Sequence, residues 1–136
     1  MITEPIRRLI ELLPYVFVAT EDVSGQPHMA IGKQITVSGD SLLIFENWFC
    51  PATLQNIARN SHVSVVVVVP DTGMGYQMLG SVMRSTKTAP FDDTYPMANI
   101  PEMPQVLTRF TVKIDRIFEF TSGIHSDVPL VGPDYC

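Results

Sequence analysis

The stretch Glu46–Pro70, ENWFCPATLQNIARNSHVSVVVVVP, passes from a bulky, half-apolar loop into a short helix and then into a run of valines. The helix is predicted to begin near Thr53 and to end near Asn60, with Leu54, Ile57 and Ala58 on one face. The free backbone N–H groups at its start, together with the helix dipole, favour an anion there, and the Thr53 hydroxyl can either cap the helix or meet that anion. HVSVVVVV (62–69) then reads as a strand almost without polar alternation. Burying one valine is worth roughly 1.5–3 kcal/mol, so the five consecutive valines 65–69 rival the net stability of a whole domain. This strand is therefore expected to be covered on both faces, by the core on one side and by a helix or a second chain on the other.

Working outward from it, Thr3 precedes a helix with Pro5 in its first turn, an apolar face of Ile6, Leu9, Ile10 and Leu13, and Pro14 as its stop. YVFVAT (15–20), HMAIGKQITV (28–37) and SLLIFE (41–46) read as three strands, with SGD (38–40) as a tight turn between the last two. Gly32 inside the second strand marks either a close approach by another group or a packing gap. Beyond the valines, YQMLGSVMRS (76–85) and RFTVKIDRIFEFT (109–121) are two more strands. Residues 86–105 are predicted to be a proline-containing loop, with a short helix around Glu102–Leu107. The fold class is therefore mainly β (α+β): strands packed antiparallel with short helices, most economically closed into a six-stranded barrel that removes exposed edges. One domain is expected over residues 1–121, followed by a tail, 122–136, with turn residues and no periodicity.

Composition narrows the function. The chain has 136 residues, a formal net charge of −5, 46% hydrophobic and 17% charged residues. That balance suits a globular domain and argues against nucleic acid or an anionic membrane as a partner, because both require a basic footprint. No apolar run reaches the length of a membrane span, and the N-terminal MITEPIRRLIELLP is too charged for a secretion signal, so a cytoplasmic location is expected. Cys50 and Cys136 are expected to be unpaired thiols. His28, His62 and His125 fall in different elements, so no metal site is expected.

The succession FVATEDVSGQPHMAIGKQITVSGDSLLIF, PATLQNIARNSHVSVVVVV, GYQMLGSVMRS and VKIDRIFEF resembles the pyridoxamine-phosphate-oxidase-like FMN-binding split-barrel family, over about residues 9–121. The resemblance rests on order and spacing, not on one catalytic signature. It implies a homodimer of six-stranded split barrels with FMN at the dimer interface. It places Ala30, Ile31, Gly32 and Lys33 along the flavin ring. Glu46, Asn47, Cys50, Pro51, Ala52 and Thr53 would hold the ring edge and the phosphate, and Gln77, near Gly80, would approach from the side. The chain departs from the family in one respect: many members carry Arg or Lys at the start of the short helix, and here the sequence is CPAT (50–53). Phosphate binding would then rest on Thr53, on backbone N–H groups, and on Lys33 or Arg59. Trp48 and Phe49 would either cover the ring or fill an interface, and His28 is assigned a structural role. Arg84 and Lys87 would form a solvated face. The implied function is that of an FMN-binding flavoprotein, a small oxidoreductase or an electron-transfer protein. The alternative is a non-enzymatic dimeric module that has lost tight cofactor binding; a deazaflavin or haem on the same scaffold finds no specific support in the residues.

Overall fold

The computed structural model describes residues 1–33, 35–90 and 106–132. Thr3 leads into α1 (Glu4–Leu12), where Pro5 presets the backbone of the first turn and Ile6 and Ile10 are buried. On its other side Arg7 donates to Val37 O at 3.3 Å and to Gly39 O at 2.7 Å, pinning the helix to the turn that follows β3. The remaining elements are β1 (Val16–Glu21), β2 (Pro27–Gly32), β3 (Ile35–Ser38), β4 (Leu42–Trp48), α2 (Pro51–Arg59), β5 (His62–Val69), β6 (Met74–Pro90) and β7 (Val106–Thr121).

All seven strands form one antiparallel sheet in the order β2-β1-β5-β6-β7-β4-β3. The seventh arises because the single strand expected over 28–37 is two. Its first half pairs with β1 and its second with β4, so consecutive segments of chain supply the two opposite edges of the sheet. This is the split-barrel arrangement. The break follows Gly32, where a Cβ atom would lie 2.9 Å from the Trp48 ring and 3.2 Å from Phe45. Only glycine lets the aromatic cluster come this close.

That cluster shows how β4 serves the core. Phe45 and Phe110 stack at 4.8 Å, and Trp48 meets both edge-on, at 5.8 and 5.2 Å. Phe45 and Trp48 are three positions apart, so simple strand alternation would send them to opposite faces. A register shift between them, with Asn47 in the left-handed region at φ 51°, turns Trp48 inward. Val16, Val18, Leu43, Val65, Val67, Met78, Val112, Ile114 and Ile117 complete a core whose members are essentially inaccessible.

One expectation changes, that for residues 86–105, and two other regions can be described further. Val63, Val65 and Val67 of β5 are buried, but Ser64, Val66 and Val68 face outward and are only half-buried, so one chain covers a single face of the valine strand. β6 runs on through 86–90, where the sequence pattern predicts a loop, and β7 starts at Val106, so the helix expected around Glu102–Leu107 is strand at its last two positions and otherwise lies outside the described residues. The extension has no signature in the pattern because Thr86 and Lys87 are exposed and carry no apolar alternation; cross-strand pairing with β7, not core burial, holds them. Finally, Val131 bridges to Ile117, whose N–H donates to Val131 O at 3.0 Å while its carbonyl accepts from Leu130 at 2.7 Å. Among the described residues, no helix is long and apolar enough to cross a membrane.

Candidate functional site

α2 begins two residues earlier than its sequence pattern suggests. Pro51, with a fixed φ and no N–H to leave unpaired, is well suited to a helix's first position, and Cys50 becomes the N-cap. Thr53 is therefore the third helical residue, not the cap. Its side chain is fully buried, and Oγ1 makes no hydrogen bond of ordinary geometry. A buried polar atom without a partner costs about 1–3 kcal/mol, so a hydroxyl kept in that state points to a group that completes it.

The rest of α2 is fastened to the sheet. Asn56 donates to Thr20 Oγ1 at 3.0 Å and Arg59 donates to the Glu21 carbonyl, both on β1. Leu54 N–H bonds Cys50 O at 3.3 Å, the first turn of the helix. Arg59 sits at the far end of a nine-residue helix, about 12 Å from its start. Expected as an aid to a phosphate at Thr53, it is instead engaged at the other terminus. Lys33 is exposed beyond the end of β2.

The register sorts the remaining candidates by face. His28 pairs with Thr20, Ala30 with Val18 and Gly32 with Val16, all on the inward side. Met29 and Ile31 point outward and are 61% and 56% exposed. Ile31, Phe17, Val66 and Gln77 form one row across four neighbouring strands, so Ile31 and Gln77 share the outer face about 14 Å apart. Gln77 donates to Ser64 Oγ at 2.9 Å. Glu46 accepts from Arg109 Nε at 2.7 Å, and Asn47 is exposed. Trp48, a candidate cover for a ring, is core; Phe49 is 52% exposed. The structure thus gathers Cys50, Pro51, Ala52 and Thr53 at one helix start beside the inward face of β2, and puts Ile31 and Gln77 on the opposite side of the sheet.

One contact lies beyond the reach of the sequence reading. Cys50 Sγ lies 3.4 Å from His28 Nε2, so the histidine assigned a structural role adjoins the helix start. Burial alone would raise the thiol. The Thr53 hydroxyl and backbone N–H and the His28 ring, all near the sulfur, favour the thiolate and outweigh burial, leaving the thiol below its ordinary range. Twenty-two residues separate the pair, and only the pairing of β2 with β1, against which α2 packs, brings them together. Cys50 is a free thiol; Cys136 lies outside the described residues. Among the described residues, no group of three or more His, Cys, Asp or Glu side chains is placed to hold a metal ion.

With this geometry in place, comparison with known proteins gives a consistent answer. A family model described as pyridoxamine 5'-phosphate oxidase matches residues 2–119. No curated protein matches the chain at a significant level. Among solved structures, HupZ of Group A Streptococcus superposes with a TM-score of 0.70 at 22% identity, covering 93% of this chain and 99% of that one. An FMN-binding protein from Syntrophomonas wolfei superposes at 0.68 with 17% identity over 90% and 87% of the two chains. A putative pyridoxamine 5'-phosphate oxidase from Lactobacillus delbrueckii superposes at 0.66 with 23% identity over 86% and 93%. At these identities the structural matches establish the shared fold.

Proposed function

Because the chain belongs to the pyridoxamine 5'-phosphate oxidase family, we propose that it is an FMN-binding flavoprotein whose phosphate site is the start of α2. The observation that carries this reading is the fully buried, unpartnered Thr53 hydroxyl at a helix N-terminus. A phosphate would complete that hydroxyl and accept from the free N–H groups of the first turn. The residues present therefore fit the group, with one difference in kind: the grip is made of neutral donors and a dipole, without an Arg or Lys in the CPAT segment. A helix terminus contributes about 0.3–1 kcal/mol, and up to about 2 when partly buried, so we expect reversible, not permanent, flavin uptake. On this reading Ala30, Gly32 and the backbone of β2 flank the isoalloxazine, with Ile31, Lys33, Glu46, Asn47, Cys50, Pro51, Ala52 and Gln77 around it as the family pattern implies. Bound FMN would supply one- or two-electron redox chemistry; the chain's part is to orient it and shield one side.

Because Ile31 and Gln77 lie on the outer face, one barrel cannot present them and the α2 start to a single cofactor. A homodimer resolves this. The outer face carries Phe17, Met29, Ile31, Val66 and Val68, an apolar surface of the kind that marks association sites. Residues 1–121 would form the split-barrel unit and residues from 122 onward an appended tail.

The direct test is titration of purified apo-protein with FMN, following quenching of flavin fluorescence. Saturable, equimolar quenching that weakens in Thr53→Ala supports the reading. Absence of quenching at high protein concentration would overturn it and favour a barrel that acts without flavin.

A further inference from the structure

We propose that Cys50 and His28 form a reactive thiol site at which the sulfur is oxidised by small peroxides. The geometry carries it. Cys50 Sγ and His28 Nε2 are 3.4 Å apart, within hydrogen-bonding reach for sulfur, so a proton can pass directly from thiol to ring. Cys50 is the N-cap of α2, where the helix dipole stabilises negative charge on the sulfur. In the flavin-free protein the Thr53 hydroxyl, buried beside the thiol and otherwise unpartnered, is a donor available to a charged sulfur or to an oxygen added to it. The thiol is partly exposed, so a molecule the size of hydrogen peroxide can reach it. His28 occupies the inward row of β2, on the opposite side from the outer apolar face.

The step balances with peroxide as the only co-reactant. The sulfur gives its proton to His28 Nε2 and attacks one peroxide oxygen. The S–O bond forms as the O–O bond breaks, and the departing hydroxide takes the proton from His28 and leaves as water. Two electrons pass from sulfur to peroxide, and Cys50 becomes a sulfenic acid. Nothing in this step uses a flavin, but Cys50 and Thr53 also belong to the proposed phosphate site, so the proposal concerns the flavin-free protein and is tested on apo-protein.

Two measurements decide it. In the first, apo-protein is alkylated with iodoacetamide at neutral pH and the Cys50 peptide is quantified by mass spectrometry against N-acetylcysteine. A thiol held below its ordinary range carries more thiolate at neutral pH, and this gain outweighs the accompanying loss of intrinsic nucleophilicity, so Cys50 should be alkylated faster than the free thiol. His28→Asn should bring the rate down to that of the free thiol or lower. In the second, wild-type protein is treated with equimolar hydrogen peroxide and trapped with dimedone. The adduct should appear on the Cys50 peptide and be absent in Cys50→Ser. Equal alkylation of wild type and His28→Asn, or no dimedone adduct on Cys50 of the wild-type protein, overturns the proposal. The second measurement stands even if the histidine variant fails to fold.

Discussion

Replacing Thr53 with valine should make the apo-protein more stable and the holo-protein weaker. Thr53 is fully buried and its Oγ1 has no ordinary partner. Valine keeps the branched shape and nearly the same helix propensity, and it removes the hydroxyl. A buried unsatisfied polar atom costs about 1–3 kcal/mol; since the thiol of Cys50 stands nearby and compensates in part, a gain of about 1–2 kcal/mol is expected. Unfolding entropy of about 2.1 cal/mol/K per residue converts this to a rise in Tm of about 3–7 °C for a chain of this length. FMN affinity should move the other way. A hydrogen bond to a charged group is worth about 1.5–3 kcal/mol, which is about 10- to 150-fold in Kd. Thermal melts of apo-protein at fixed protomer concentration, paired with FMN titration of the same samples, measure both quantities. Opposite signs are diagnostic, because a simple packing defect would lower both. A Tm that falls while flavin affinity holds would refute the argument, and would show the hydroxyl to be satisfied within the chain.

Other consequences can be checked as directly. Gly75→Ala should destabilise the protein by about 3 kcal/mol or more, the upper range for overpacking, because the added Cβ would lie 1.9 Å from Val67 O; a denaturant melt with an unchanged midpoint would contradict this. Val66→Lys, at the centre of the outer apolar face, should shift the proposed dimer to monomer in sedimentation and leave the circular dichroism spectrum intact. Asp22 accepts from the Gln26 and Ser24 backbone N–H groups and from the Ser24 hydroxyl, which lowers its pKa. Its contribution to the turn should therefore be present above the ordinary aspartate pKa and be lost only as pH falls through the lowered value, so the Ser24 and Gln26 amide resonances should titrate below the usual aspartate range.

Elements with a clear pattern are legible in the residues alone, and elements without one are not. α1 announces itself through apolar periodicity, β1 and β4 through their β-branched, aromatic and aliphatic composition, and β5 through an unbroken apolar run. Pro51 does so through its own chemistry, although the capping preference of threonine draws the expected helix start two residues too far along. The stretch of β6 beyond residue 85 has no such pattern, because Thr86 and Lys87 are exposed and held by pairing with β7. The break after Gly32 is invisible locally, since both halves suit strands; it exists because two strands distant in sequence claim one half each. The helix-start candidates are legible because they are contiguous. His28 is not, because its meeting with Cys50 depends on sheet order. The arginine at the far end of α2 misleads for the opposite reason: closeness along the chain suggests a closeness in space that nine helical residues prevent.

The link between β2 and β3 has a mechanical meaning. One short run of chain is at once the end of one margin of the sheet and the beginning of the other, so the ladder is tethered to itself where it would otherwise gape. β2 and β3 each have one strand neighbour, so their outer sides are the borders at which a further strand can pair, and the chain between Gly32 and Ile35 limits how far apart those two borders can move.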